Sequence, residues 1–161
     1  MIRQATETDR TDYIERWGML FEVLGATRMM GKILGWLLIS DPPEQSAADI
    51  AIAVNASAGT VSTTTRMLVQ ASMIEKIGIA GKRSAHFRVR PEMWGSLMKS
   101  RLQSIQVMEQ MASEGLDVFP EADGEPNIRL RELRSYCRFV NERFPKLFDE
   151  WAAEWEKERN E

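Results

Sequence analysis

Two helix-start signals close together, at Ser46 and Ser57, constrain this chain more than any other feature. Ser46-Ala47-Ala48-Asp49 has capping-box form, a hydroxyl at the N-cap and a carboxylate three residues on, each satisfying a backbone N–H that the helix leaves unbonded. It predicts a short helix through Val54. Asn55-Ala56 then makes a turn, and Ser57 caps a second helix to about Gln70, with Val61, Thr65, Leu68 and, marginally, Val69 turned inward. Two short capped helices joined by a tight turn form the helix-turn-helix pattern. Ile74 to Ile79 and His86 to Arg90 follow as short runs with period-two character, separated by Ala80-Gly81-Lys82-Arg83-Ser84. A glycine-containing connection with two cations at its tip predicts a hairpin aimed at something negative.

Upstream, Asp12 to Leu24 sets Tyr13, Trp17, Leu20, Phe21 and Leu24 at three-four spacing, a first helix ending at Gly25. Thr27 to Ile39 is apolar nearly all round, which predicts a central helix stopped by Asp41-Pro42-Pro43. Gly31 and Gly35 lie one turn apart on it. Glycine inside a helix costs ~1 kcal/mol relative to alanine, so close approach of another backbone is the expected reason for them. Downstream of Pro91 a long helix runs to about Phe119; Asn127 is expected to cap a last one, which Pro145 should kink or end. The apolar stripes of these helices exceed what one small domain can cover, so self-association is expected. The predicted fold is mainly α with a small β-hairpin wing: a winged helix-turn-helix over residues 27–91, and a helical dimerisation domain from 1–26 and 92–161.

Charge points the same way. The chain carries a formal net charge of −3, yet between Ser57 and Arg90 the cations Arg66, Lys76, Lys82, Arg83, Arg88 and Arg90 face Glu75 alone. A basic island on an acidic protein suggests a local polyanion site, although a solvated charged face has the same composition. No apolar run approaches the ~20 residues that span a bilayer, and Met1 to Arg10 lacks the apolar segment of a secretory signal, so no membrane association and a cytoplasmic location are expected. One cysteine, Cys137, and one histidine, His86, leave too few ligands for an ordinary zinc site, and no cofactor is expected. GxSxG, P-loop and GxGxxG motifs are absent, so the sequence offers no enzyme reading.

In a helix-turn-helix the second helix enters the major groove of duplex DNA. Its outward set here is Gly59, Ser62, Thr63, Arg66 and Gln70. Hydroxyl residues near the helix start can donate to phosphates and touch base edges, and Arg66 can reach a guanine or a phosphate. The alternative for the hydroxyls of Ser62-Thr63-Thr64-Thr65 is bonding back to carbonyls of the preceding turn. The expected DNA contacts are Ser57, Thr60, Ser62, Thr63 and Arg66 on the helix, Lys82 and Arg83 on the wing tip, and Arg88 on the strand behind it, where phosphate contact and plain solubility are equally good readings. His86 is expected at the surface or packed in the hairpin, and Cys137 buried. Ten methionines and five tryptophans would suit an adaptable apolar ligand pocket, but core packing is their simpler use.

Three segments carry a resemblance: Arg28-Met29-Met30-Gly31-Lys32-Ile33-Leu34-Gly35-Trp36-Leu37-Leu38, Ser62-Thr63-Thr64-Thr65-Arg66-Met67-Leu68, and Gly81-Lys82-Arg83-Ser84-Ala85-His86-Phe87-Arg88-Val89-Arg90-Pro91. In this order they resemble the MarR-type winged-helix transcription regulators, in their GbsR-like branch. The resemblance implies a homodimer that binds an operator near an efflux or lipid-export operon and is released by a hydrophobic ligand such as a fatty acyl ester. It sets Ser62, Thr63 and Arg66 on the family's recognition helix and Lys82 and Arg83 on its wing. A winged helix that docks proteins without touching nucleic acid is the competing reading; it predicts no basic surface on the second helix and wing.

Overall fold

A computed structural model describes residues 6–81, 84–119 and 125–160. They are mainly α-helical with one small antiparallel sheet, and they divide into two compact units, one ending at Trp94 and the other beginning at Gly95.

The first unit opens with α1, Glu7–Val23, started by a capping box in which the Thr6 hydroxyl accepts from the Asp9 N–H and the Asp9 carboxylate accepts from the Thr6 N–H. Gly25, at φ +77°, ends it in the left-handed conformation that glycine adopts without penalty. Helix α2, Arg28–Ile39, capped by Thr27, is the centre of the core: Ile33, Leu34 and Leu37 are buried among Ile50, Val54, Val61, Leu68 and Ile74. The two glycines of α2 have the expected cause, because α1 crosses there: a Cβ on Gly31 would land on the Trp17 carbonyl, and one on Gly35 would sit 2.9 Å from Cβ and Cγ of the Trp17 side chain. Glu15 of α1 ties the crossing from outside, 2.7 Å from Lys32 Nζ and 2.8 Å from Arg28 Nη2.

Strand β1, Gln45–Ser46, leads into α3, Ala47–Ala53, and a turn leads into α4, Ala58–Gln70. Asn55 (φ 49°) and Ser72 (φ 58°) end α3 and α4 alike, each in the left-handed region one residue past the helix's C-cap. Strands β2, Ile74–Ile77, and β3, His86–Val89, form the hairpin, and β1 adds to its far side in the order β1-β3-β2. Sequence reading missed β1, which is two residues long and paired only through Gln45 to Phe87 and Ser46 to His86.

The second unit comprises the body of α5, Met93–Val118, and α6, Glu125–Asn160. Ala112 and Cys137 are fully buried between them, Gly115 receives Leu130, and Gly95 receives the ring of Phe148. One expectation about α6, the cap, is corrected, and one of the two alternatives for Pro145, the helix end, falls away. Asn127 lies inside the helix rather than capping it, and its buried Oδ1 has no hydrogen-bond partner among the described residues. Pro145 does not end the helix, which runs on to Asn160; the proline is exposed, where the Asn141 carbonyl it deprives of a donor is most easily hydrated. Among the described residues no helix is long and apolar enough to cross a membrane, and no three potential metal-ligating side chains come together.

Candidate nucleic-acid interface

Helix α4 begins where Ser57 accepts from the Thr60 N–H at 3.1 Å, with the two hydroxyls 2.9 Å apart. Its buried side is Val61, Thr64, Thr65 and Leu68. Thr64 was not expected there, and Val69, expected at the margin, is exposed. The inward turn fixes the outward one: Ser57, Thr60, Ser62, Thr63 and Arg66 are all exposed, with Ser62, Thr63, Arg66 and Gln70 on one stripe at three-four spacing.

The hydroxyl run divides between its two readings. Thr65 Oγ1 donates to the Val61 carbonyl at 2.8 Å and so is spent on its own helix. Ser62 and Thr63 make no such bond among the described residues, and with Arg66, which is in no ion pair there, they leave unspent hydrogen-bonding groups along the exposed stripe.

The hairpin sorts its side chains by register. Glu75 pairs with Arg88 across the ladder and Lys76 with Phe87, so alternation sends the first pair to one face and the second to the other. Arg88 Nε lies 2.7 Å from Glu75 Oε1 and its Nη1 3.5 Å from Glu44 Oε1; these carboxylates hold its proton more firmly than usual, Glu75 foremost. Arg88 is thus paired within the sheet, an arrangement that neither sequence reading for it, phosphate contact or plain solubility, described. Lys76, which the sequence reading did not single out, lines with Ser62, Thr65, Arg66, Val69 and Phe87 an open concavity of about 390 Å³ between α4 and the sheet. Only the strand register could have found it.

Lys82 and Arg83 lie outside the described residues. Gly81 (φ 80°) turns the chain just before them. His86, expected near the surface or packed in the hairpin, is buried, its Nδ1–H donating to the Ser84 carbonyl at 3.0 Å, and so braces the base of the tip.

Three helices, a two-helix turn presenting an unspent polar stripe, and a strand-braced hairpin define a winged helix-turn-helix. Residues 92–154 match the family described as MmpR5-like MarR family transcriptional regulators. Over 138 residues, 86% of this chain and 84% of the relative, the sequence is 35% identical to the HTH-type transcriptional regulator MmpR5 of Mycobacterium tuberculosis. A crystal structure of a transcriptional regulator superposes with a TM-score of 0.77 at 32% identity, covering 90% of this chain and 99% of that one. The chain belongs to the MarR family of transcription regulators, a family that is not enzymatic.

Proposed function

We propose that this regulator binds duplex DNA sequence-specifically as a homodimer, laying α4 in the major groove and its wing along the flanking backbone. The observation that carries the reading is the exposed stripe of Ser62, Thr63 and Arg66, whose side-chain polar groups have no partner among the described residues. Ser57 and Thr60 hold the helix start from which that stripe projects, and Lys82 and Arg83 supply charge at the wing tip. Residues 27–91 read DNA, while 1–26 and 92–161 join two copies so that paired recognition helices meet half-sites about one helical turn, ~34 Å, apart. Exposed Met108, Met111, Phe139, Trp151 and Trp155 on α5 and α6 support the second role, since a monomer rarely leaves so much apolar surface in water.

The test is selection from random duplexes, followed by anisotropy titration of the recovered site and of a scrambled one. A preference of about a thousandfold or more is expected. Equal affinity for both refutes sequence-specific reading and leaves a non-specific DNA binder, whereas no affinity for either favours a protein-docking winged helix instead. The resemblance supports the regulatory half of the reading: repression of an efflux or lipid-export operon, relieved by a fatty acyl ligand. Fatty acids or their glycerol esters titrated onto the operator complex should release DNA, and DNA should weaken their binding by the same factor; an operator affinity unchanged at saturating ligand refutes this half.

A further inference from the structure

We propose that Lys76 of β2 is a DNA backbone contact, and that the concavity it shares with Ser62 and Arg66 seats one sugar-phosphate unit of the duplex; this rests on the DNA-binding reading above. Three features of the site point to such a ligand.

The first is the direction of the lysine. Register places it on the α4 side of the sheet with Phe87, while the strand's carboxylate, Glu75, goes to the opposite side and is taken up by Arg88. The one anion of the basic island is thereby kept away from the concavity. The second is that neither cation at the rim is neutralised: among the described residues Lys76 and Arg66 stand in no ion pair. They belong to different walls, one to the sheet and one to the helix, so an anion between them touches both elements.

The third is the lining. Val69, Phe87, Ala47 and Ala85 are apolar, whereas Ser62 contributes a hydroxyl with no intrahelical bond. A deoxyribose bears carbon surface suited to such a lining, and the phosphate attached to it takes the rim's ammonium, guanidinium and hydroxyl donors. A free inorganic anion would use the rim and leave the apolar part empty. Because α4 itself forms one wall, a backbone fixed here also fixes the depth and register at which the exposed stripe of α4 meets the bases.

The proposal is tested with the full-length protein on the selected site and on scrambled duplex, titrated over a range of salt. Lys76→Gln should reduce the steepness of log K against log salt by about 0.9 for each protomer, one phosphate contact apiece and about 1.8 for the bound dimer, on both duplexes alike. At ~0.15 M salt the dimer's loss corresponds to roughly thirtyfold weaker binding, fading as salt approaches 1 M. Lys76→Arg should keep the wild-type slope, and circular dichroism checks that each variant folds. Lys146→Gln, an exposed cation of α6, gives the reference for losing one charge elsewhere. A folded Lys76→Gln protein with the wild-type slope, or with no more loss than Lys146→Gln, overturns the assignment of Lys76 and leaves the DNA reading standing. Wild-type protein that binds no duplex at all overturns both.

Discussion

Substituting Gly31 by alanine tests whether the α1–α2 crossing is set by backbone contact. The added Cβ would fall on the Trp17 carbonyl oxygen, 2.7 Å from the carbonyl carbon and 2.9 Å from the Gly18 Cα. All three are backbone atoms, so no change of rotamer relieves the overlap; α1 has to move. Overpacking costs ~1–3 kcal/mol where side chains can yield, and the upper end applies where they cannot. Displacing α1 also uncovers part of Ile14 and Phe21, each buried and worth ~1.5–3 kcal/mol when fully so. Against this, alanine gains ~1 kcal/mol of helix propensity. The net expectation is a loss of about 2–3 kcal/mol.

Two neighbours grade the argument. At Gly35 the added atom meets the stem of the Trp17 side chain, which yields little; at Gly18 it meets the Arg28 and Lys32 Cγ atoms, the stems of long, partly exposed chains, with the Arg28 carbonyl at 3.2 Å. The order of destabilisation should therefore be Gly31→Ala, then Gly35→Ala, then Gly18→Ala. Urea unfolding at one fixed protein concentration measures it, since association shifts apparent stability. For a chain of this size the Gly31 loss corresponds to a fall in Tm of about 5–10 °C. A Gly31→Ala protein as stable as wild type, or less affected than Gly18→Ala, would refute the reasoning.

Arg66→Ala should cost roughly 1–3 kcal/mol on the selected site and little on random duplex if the side chain reads a base; equal losses in anisotropy titrations make it a phosphate contact. Changing Lys82 and Arg83 together to alanine should flatten the salt slope and weaken every sequence alike, and an unchanged slope removes the wing from the interface. Ser57→Ala should cost ~1 kcal/mol in urea unfolding through loss of the α4 cap, unless that hydroxyl contributes nothing to the helix start. Lys32, then Arg28, hold the Glu15 carboxyl below its ordinary value of 4.5, so its stabilisation is present above about pH 4.5 and is lost as pH falls through the lower folded value. Wild type should then exceed Glu15→Gln in urea midpoint near neutral pH and converge with it in acid; a gap that persists at about pH 3 would show a cause other than the carboxylate's charge.

What the sequence disclosed follows the range of the forces involved. Ser46 and Ser57 both cap helices as their spacing implied, because a cap is completed within three residues of chain. Alternation likewise separated Phe87 from Arg88 correctly. The side of a sheet that a charge commands is another matter, since a slip of one residue in pairing reverses every side chain. Glu75 and Lys76 are adjacent in sequence and act on opposite faces: one neutralises Arg88, the other lines the concavity beside α4. No local rule could tell them apart before β2 and β3 were set in register. Nor could any rule foresee β1, whose two residues have no strand signal of their own and whose partners lie about forty residues later. Yet β1 matters to the interface, because the segment entering it carries Glu44 to within 3.5 Å of Arg88 and completes the neutralisation that Glu75 begins. Which cations remain available to DNA is thus decided by where strand pairing delivers the carboxylates, and that depends on contacts distant in sequence even though every residue involved is visible in it.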